Sequence, residues 1–413
     1  MTDARYTPQS VNCQPQADGS LILTSRHTLG PVATSTGAWL HHWADATPDA
    51  VFIAERSGAG WRELSYRETL QTGAKAALAG GYTGVLLSPH SEPVADQKTT
   101  LEYWSKHQLG IDLLPTAAFS KGLEGGELSE LFDLKQAGAL AFSNGEKAIS
   151  NSAFMRLALL YARETGLPLM VRSFDEGLSA GAQMHEGAQS TWLGLKGYPA
   201  LAEELQIERD LALCEYTQAS IHFMGISSAR SVALIGQAQQ QGLKVTADVN
   251  LLNLCFTDED LSSYDTNLKV FPPLRAEADR QALIQGIKKG VIASIASNHY
   301  PRTIEEKRCE FDLAKAGAAS LEIAFGLMGA QCPELSTEEV VEALSRKGRA
   351  ILAWQNELSI QEGRAVPLTL FDAEQSWTWD PKTKQSKAAN YPKPKGSLRG
   401  KALATYREGI WQN

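Results

Sequence analysis

Cysteine is scarce in this sequence, and its cysteines do not pair in any known pattern. Five cysteines are scattered over 413 residues, and no two of them form a CxxC motif. They are Cys13, Cys214, Cys255, Cys309 and Cys332. An odd and widely spaced set argues against a disulfide framework and against a cysteine-based zinc site. We therefore expect free thiols in a reducing compartment, the cytoplasm.

Long apolar runs and excess positive charge are also missing. No apolar stretch reaches the length of about 18 residues that a membrane-spanning helix needs. The first ten residues are polar and lack the apolar core of a signal peptide. With 39 basic and 47 acidic side chains, the net charge is −8, which disfavours binding to nucleic acid or anionic membranes. We expect a soluble cytoplasmic protein that binds neither.

Strand and helix patterns alternate along most of the chain. Residues 220–254 show the clearest unit: an apolar strand, a helix that Ser227 or Ser228 can cap and Gly242 can end, and a second strand. Counting Val51 to Glu55 as the first strand, the same rhythm predicts about eight strands. The other predicted strands are 83–88, 111–119, 139–143, 167–172, 220–226, 244–249 and 291–297. This alternation predicts an α/β fold, a (β/α)8 TIM barrel.

Composition divides the chain into three parts. Residues 1–50 form an atypical N-terminal segment, residues 51–335 the barrel, and residues 336–413 a C-terminal helix with short strands. Within the last part, the polar stretch from Asp380 to Lys395 is rich in lysine and proline. We expect this stretch to wrap the surface and to bury little.

The predicted strand ends offer few groups that could hold a metal. In a barrel of this kind, catalytic groups lie at the carboxyl ends of the strands, and zinc prefers imidazole and carboxylate ligands. These ends carry histidines at His90 and His299, but elsewhere amides, serine, glycine and one arginine. One alternative is a zinc site made by His90, His299 and water. His222, inside a strand, is predicted to be a hydrogen-bonded core residue, and His185 to close a loop.

From about Ser65 to the C-terminus, the sequence resembles a dihydroorotase of the amidohydrolase superfamily. The matching words include GALAFSNG, IHFMGISSARSV, KVTADVNLLNL and ASNHYP. The tail words LTLFDAEQSWTW and LRGKALATYREG resemble the strands that close the small β-sandwich of that family. The resemblance implies a TIM barrel of the metal-dependent hydrolase type, with a small, incomplete β-sandwich built from the two termini.

The same resemblance implies that the catalytic and metal-binding residues are missing. The positions of the family's metal ligands fall near Arg56 and at Asn144, Ser173, Gly225 and Asn298, and its substrate-binding positions fall at His90, Phe271 and Arg302. Together with His299 these residues make up what we call the relict pocket. Its members are Arg56, His90, Asn144, Ser173, Gly225, Phe271, Asn298, His299 and Arg302.

The pattern is similar to noncatalytic dihydroorotase-like proteins found beside aspartate carbamoyltransferase in some bacteria. Those proteins show similar words where Ser88-Pro89-His90-Ser91 and Asn144-Gly145 stand here. The resemblance implies a metal-free, oligomeric structural subunit or partner of aspartate carbamoyltransferase, acting in de novo pyrimidine (UMP) biosynthesis. The alternatives are an active cyclic amidohydrolase with a rearranged zinc site, and a small-molecule sensor that uses the empty pocket.

The opening segment resembles a different family. The words GAWLHHWADATPDAVFIAERSGAGWRELSYRETL are similar to the start of acyl- and aryl-CoA synthetases, the feruloyl-CoA type in particular. This resemblance covers about the first 70 residues, and the phosphate-binding loop of those enzymes is absent from the sequence. We therefore expect no adenylating activity.

Overall fold

A computed structural model describes most of the chain. The described residues are 11–15, 21–25, 51–57, 60–106, 109–352, 354, 360–363, 365–407 and 409–412. Contacts between residues divide the chain into two units, Met1–Pro48 and Asp49–Asn413. In the first unit, strands β1 (Val11–Pro15) and β2 (Leu21–Ser25) pair as an antiparallel hairpin.

The second unit begins with another hairpin. Strand β3 (Val51–Ser57) pairs in antiparallel fashion with β4 (Gly60–Ser65), and Ser57 lies opposite Gly60. The prediction that residues 51–55 form the first barrel strand is therefore wrong. A hairpin between neighbouring strands closes a very short loop, whereas a place in a parallel sheet requires a long crossover connection.

A curved parallel sheet forms the centre of the second unit. The described chain contributes seven strands to it, in the spatial order β13-β12-β11-β8-β7-β6-β5. They are β5 (Gly84–Leu87), β6 (Asp112–Ala118), β7 (Ala141–Ser143), β8 (Leu169–Val171), β11 (Ile221–Phe223), β12 (Val245–Asn250) and β13 (Ser294–Ala296). Between β8 and β11, the two-residue strands β9 (Met184–His185) and β10 (Gly197–Tyr198) form a separate pair. Six of the seven strands lie within a predicted strand, and β12 extends one residue beyond its predicted range of 244–249.

Helices connect the strands and cover the outer face of the sheet. They are α1 (Tyr66–Ala79), α2 (Lys98–Lys106), α3 (Leu131–Gln136), α4 (Ser152–Thr165), α5 (Glu176–Ser179), α6 (Ala188–Leu193), α7 (Leu201–Thr217), α8 (Ala229–Gln240), α9 (Leu251–Cys255), α10 (Glu277–Lys288), α11 (Ala324–Gln331), α12 (Thr337–Leu344) and α13 (Arg346–Ile351). Helix α8 begins as predicted, because the hydroxyl of Ser228 accepts a hydrogen bond from the backbone N–H of Ser231.

The core lies between the sheet and these helices. Its largest fully buried side chains include Phe119, just after β6, Phe142 in β7 and Phe223 in β11. Buried apolar surface of this extent is the main stabilising contribution to a domain of this size. Cys214, Cys255, Cys309 and Cys332 are free thiols, as predicted.

The C-terminal region forms a small antiparallel sheet. Strand β15 (Leu398–Arg407) pairs with both β14 (Leu368–Trp377) and β16 (Ile410–Gln412). Helix α11 packs on β15 so closely that a Cβ atom at Gly329 would lie 2.2 Å from the carbonyl oxygen of Arg399. The sequence predicts short strands at residues 367–371 and 402–407, and β14 and β15 confirm them but are longer. A sandwich that also uses the N-terminus stays a prediction.

The polar stretch from Asp380 to Lys395 buries more than predicted. Asn390 is 0% exposed, and Tyr391 is also buried. The side-chain amide of Asn390 donates to the carbonyl oxygens of Tyr300 and Gly317, at 2.9 and 3.0 Å. The expectation that this stretch buries little is wrong, because hydrogen bonds to buried backbone groups replace the missing apolar contacts.

No helix among the described residues is both long enough and apolar enough to cross a membrane.

Candidate functional site

The carboxyl ends of the parallel strands meet at one end of the barrel, and a buried arginine lies among them. Arg172 directly follows β8, and its side chain is only 6% exposed. One guanidinium nitrogen, Nη2, lies 2.9 Å from Oε1 of Glu146, and the other, Nη1, donates to the carbonyl oxygen of Met224 at 3.1 Å. A fixed positive charge therefore occupies the barrel mouth.

Gly225 makes room for this guanidinium. Its φ angle is 58°, in the left-handed region that favours glycine. A Cβ atom at this position would lie 2.0 Å from Nη1 of Arg172 and 2.9 Å from Oδ1 of Asn250. Any side chain at residue 225, a histidine included, is incompatible with the observed position of Arg172.

A histidine and an aspartate pair inside the barrel below this point. Nε2 of His222 lies 3.1 Å from Oδ2 of Asp248, and Nδ1 lies 2.8 Å from the hydroxyl of Thr246. The other carboxylate oxygen of Asp248 accepts the backbone N–H of Gly225 at 2.5 Å. His222 is buried, so it is the hydrogen-bonded core residue that the sequence predicted.

Two asparagines of the neighbouring strand ends converge on one carbonyl group. The amides of Asn250 and Asn298 both donate to the carbonyl oxygen of Phe271, each at 3.3 Å. The ring of Phe271 packs edge-on against Phe174 and Tyr198, with centroid distances of 4.9 and 5.8 Å. The amides of Asn250 and Asn298 therefore hold the backbone of the loop after β12. The rings of Phe174 and Tyr198 pack against the Phe271 side chain of the same loop.

Three further residues of the relict pocket lie at or near strand ends, and two of them are buried. Asn144 is buried, and its amide donates to the hydroxyl of Ser120 at 2.7 Å. The exposed His90 lies beside Gly145, because a Cβ atom at Gly145 would be 3.6 Å from Nδ1 of His90. Ser173 is buried, and its hydroxyl has no hydrogen-bond partner among the described residues.

His299 and Arg302 belong to the loop after β13. Nδ1 of His299 accepts the backbone N–H groups of Ser320 and Leu321 at 3.0 and 3.4 Å. Burial lowers the pKa of His299 to about 4. Arg302 donates from Nε to the carbonyl oxygen of Ala316 at 2.9 Å, a contact that holds the loop. Arg56 lies in β3, and its side chain is outside the described residues.

A second buried network, which the sequence did not predict, supports the loops beside the mouth. The carboxylate of Glu203 accepts the backbone N–H groups of Ser227 and Ser228 at 2.9 and 3.1 Å. Arg275 donates from Nε to the hydroxyl of Ser227 at 3.0 Å, and its Nη1 lies 3.1 Å from Nδ1 of His185. Burial, and then the charge of Arg275, lower the pKa of His185 to about 4. The ring of His185 thus contacts Arg275, and a cap or loop-closing role for it stays a prediction.

The side chains at the mouth do not fit a divalent metal ion. A catalytic zinc site uses about three histidine, aspartate or glutamate ligands. Among the described residues, no three His, Cys, Asp or Glu side chains converge in a way that could hold a metal. The guanidinium of Arg172 also places a positive charge where a cation would bind, and the two charges would repel.

Solved structures with a similar fold define the class of this protein. L-hydantoinase (dihydropyrimidinase) from Arthrobacter aurescens matches with a TM-score of 0.71 and 19% identity, covering 83% of this chain and 79% of that one. Dihydropyrimidinase from Brevibacillus agri matches with a TM-score of 0.67 and 18% identity, covering 82% and 78%. At this identity the likeness concerns the fold alone, which this chain shares with these hydantoinase and dihydropyrimidinase structures.

Sequence relatives give the particular family. A family model described as dihydro-orotase-like matches residues 52–231. The dihydroorotase of Pelotomaculum thermopropionicum is 39% identical over 346 residues, which cover 82% of this chain and 80% of the relative. The dihydroorotase of Syntrophus aciditrophicus is 36% identical over 349 residues, covering 83% and 82%. The chain belongs to the dihydroorotase-like family, and the resemblance found in the sequence is confirmed at that level.

Proposed function

We propose that the chain is a noncatalytic member of the dihydroorotase family. In this proposal it is a cytoplasmic structural partner of aspartate carbamoyltransferase in de novo pyrimidine (UMP) biosynthesis. It assembles into an oligomer and binds neither nucleic acid nor membranes. The observation that supports the proposal most directly is the guanidinium of Arg172, which occupies the barrel mouth and pairs with Glu146.

Hydrolysis of a cyclic amide needs an activated water and a group that stabilises the tetrahedral intermediate. Each of these effects contributes several kcal/mol to the rate. Three acidic or basic groups at the mouth are already engaged. Glu146 pairs with Arg172, and both oxygens of Asp248 accept hydrogen bonds or contact His222. His222 lies in the core, away from solvent. We therefore propose that none of these three groups acts as a general base.

The pathway and the partner rest on different grounds. Relatives named dihydroorotase, at 36–39% identity, support a role connected with pyrimidine biosynthesis. Aspartate carbamoyltransferase as partner rests on the resemblance of Ser88-Pro89-His90-Ser91 and of Asn144-Gly145 to the noncatalytic proteins that accompany that enzyme.

Metal content and dihydroorotate hydrolysis, measured on one preparation, test the proposal. We expect far less than one zinc ion per chain and no hydrolysis, also after incubation with zinc. The dihydroorotase of Pelotomaculum thermopropionicum, purified in the same way, is the positive control. Stoichiometric zinc together with activity that a chelator abolishes would refute the noncatalytic assignment.

Co-purification tests the partner separately. Tagged chain, co-expressed with the aspartate carbamoyltransferase of the same organism, should elute with it in one complex at a fixed ratio. A chain that elutes apart from the transcarbamoylase over the whole concentration range would refute the partnership. The noncatalytic assignment does not depend on that result.

An active enzyme that binds zinc through His90 and His299 is less well supported. Nδ1 of His299 already accepts two backbone N–H groups, so in the neutral ring the hydrogen is on Nε2. Neither nitrogen then presents a free lone pair to a metal. If the zinc site exists, His299→Ala and His90→Ala must each remove the bound metal.

A further inference from the structure

The parallel sheet has an open side between its two outermost strands. In the described part of the chain, β5 (Gly84–Leu87) and β13 (Ser294–Ala296) each pair with one neighbour only, at opposite ends of the strand order. We call the space between them the barrel seam. A closed eight-stranded barrel would place one more parallel strand at this point.

The exposure of the flanking side chains agrees with an open seam. Leu86 of β5 lies opposite Leu114 of β6, and both face the barrel interior. Leu114 is 9% exposed, but Leu86 is 40% exposed. On the other flank, Ser294 and Ala296 face the interior and are partly exposed, whereas Asp248 and Asn250 on the neighbouring strand are buried. The interior is therefore accessible from the side.

Helices close the seam on two other sides. Outside the sheet, α1 ends against the segment that follows β13, and a Cβ atom at Gly80 would lie 2.2 Å from the carbonyl oxygen of Leu321. Helix α13 crosses the amino ends of both edge strands. Nη2 of Arg349 lies 3.4 Å from the hydroxyl of Thr83, and a Cβ atom at Gly348 would lie 3.1 Å from the hydroxyl of Ser294. The seam is thus a slot that opens towards the barrel interior and the mouth.

One buried polar group at the slot has no hydrogen-bond partner among the described residues. It is Nη1 of Arg349, whose Nη2 lies 3.4 Å from the hydroxyl of Thr83. A buried donor without a partner destabilises the protein, so it favours a ligand that brings an acceptor. The arginine is at the amino end of the slot, where the first residue of an added parallel strand would lie.

We propose that the barrel seam binds one extended segment of a partner polypeptide that differs from this chain, as an additional parallel strand. The segment pairs with Gly84–Leu87 on one side and Ser294–Ala296 on the other. It carries an aspartate or glutamate at its amino end, which pairs with Arg349, and apolar residues at the alternate positions that face α1. Binding of this type uses main-chain hydrogen bonds for affinity and alternate side chains for specificity.

The occupant comes from a second polypeptide because the local strand is already paired. In a βαβ unit, the strand before α1 would lie next to β5. Here that strand is Gly60–Ser65, and it pairs with Val51–Ser57 in a separate two-stranded sheet. The proposal does not depend on the absence of catalysis.

Hydrogen exchange on the full chain tests the proposal. We would measure the hydrogen-exchange rates of the backbone amides of residues 84–87 and 294–296. The chain is measured by itself and in the presence of a synthetic peptide in which Asp is followed by alternating Val and Ser. A first control peptide replaces Asp by Asn, and a second places Pro at its centre, which removes a main-chain donor. The Asp peptide should slow exchange at both edges by roughly tenfold or more at saturation, and the Pro peptide should have no effect.

Charge complementarity gives an independent readout. Binding of the Asp peptide should be about tenfold tighter than binding of the Asn peptide, and Arg349→Met should abolish this difference. The two peptides make the comparison on the unmodified chain, so it holds even if the variant does not fold. Equal affinity of the two peptides for the unmodified chain would refute the role of Arg349.

Three other results would overturn the proposal. Slow exchange at both edges in the isolated chain, independent of concentration, would show that the chain fills its own seam. Slow exchange that rises with chain concentration would assign the seam to a second copy of the chain. No protection by any peptide would show that the seam binds no strand.

Discussion

Replacement of Gly225 by alanine tests whether Arg172 is held in the barrel mouth. A Cβ atom at residue 225 would lie 2.0 Å from Nη1 of Arg172, so the guanidinium must move. Movement breaks its hydrogen bond to the carbonyl oxygen of Met224 and its ion pair with Glu146. Hydrogen bonds to charged groups contribute about 1.5–3 kcal/mol each, and the pair with Glu146 contributes less because that carboxylate is partly exposed.

A matched control separates this effect from backbone strain. Gly166 also has a positive φ angle, 75° compared with 58° at Gly225, but a Cβ atom there would contact nothing within 4 Å. Gly166→Ala should therefore cost only the conformational term of about 1–2 kcal/mol. We expect Gly225→Ala to lower the free energy of unfolding by about 3–5 kcal/mol in all.

Urea denaturation, followed by tryptophan fluorescence and far-UV circular dichroism, measures both free energies. In the background Arg172→Met, the cost of Gly225→Ala should fall but stay above that of Gly166→Ala, because the clash with the guanidinium is removed whereas Oδ1 of Asn250 still lies 2.9 Å from the Cβ position. If Gly225→Ala costs no more than Gly166→Ala in the unmodified chain, Arg172 does not occupy the mouth and the steric argument fails.

Further predictions concern the tail, acid stability and thiol reactivity. Asn390→Ala should lower the free energy of unfolding by about 2–4 kcal/mol in the same urea assay, because it leaves buried backbone groups unpaired. As a control, Lys393→Ala at an exposed position should change this free energy by less than about 0.5 kcal/mol. Burial lowers the pKa of His299 from its ordinary value of 6.5 to about 4. As the pH falls, the imidazole is therefore protonated in the unfolded chain before it is protonated in the folded chain. The free energy of unfolding should fall as the pH drops from 6.5 towards 4. His299→Gln should flatten that part of the pH profile of urea unfolding, and an unchanged slope would contradict the assignment. Burial raises the pKa of the Cys255 thiol well above its usual range, whereas Cys309 is partly exposed. Iodoacetamide should therefore modify Cys309 in the folded chain and Cys255 only after unfolding. Mass spectrometry of the labelled peptides measures both reactions.

Local sequence patterns predicted most of the barrel because its elements are specified locally. Helix α4 is an example. Asn151 caps it by accepting the backbone N–H groups of Ala153 and Phe154 at 3.0 and 3.1 Å, and Gly166 ends it. Its apolar residues recur at helical spacing and face the core. Such signals require no knowledge of distant contacts.

The resemblance predicted where the residues of the relict pocket lie along the chain, but it did not predict the arginine beside them. Gly225, Ser173 and Asn298 lie at or beside the strand ends, as the resemblance placed them. The sequence does not single out Arg172, because an arginine at the end of a strand is common. Its position depends on Glu146, the carbonyl group of Met224 and the space left by Gly225, which only the tertiary structure brings together.

The sequence by itself determined which segments form strands and helices and to which family the chain belongs, because hydrophobic period, caps and motif words are local properties. Tertiary structure decided the rest. It paired Val51–Ser57 with Gly60–Ser65, left β5 and β13 at the edges of the described sheet, and placed a guanidinium at the mouth. Strand pairing and the placement of charges depend on groups that are far apart in the sequence. Which of these groups contact each other is determined only when the complete fold brings them close together.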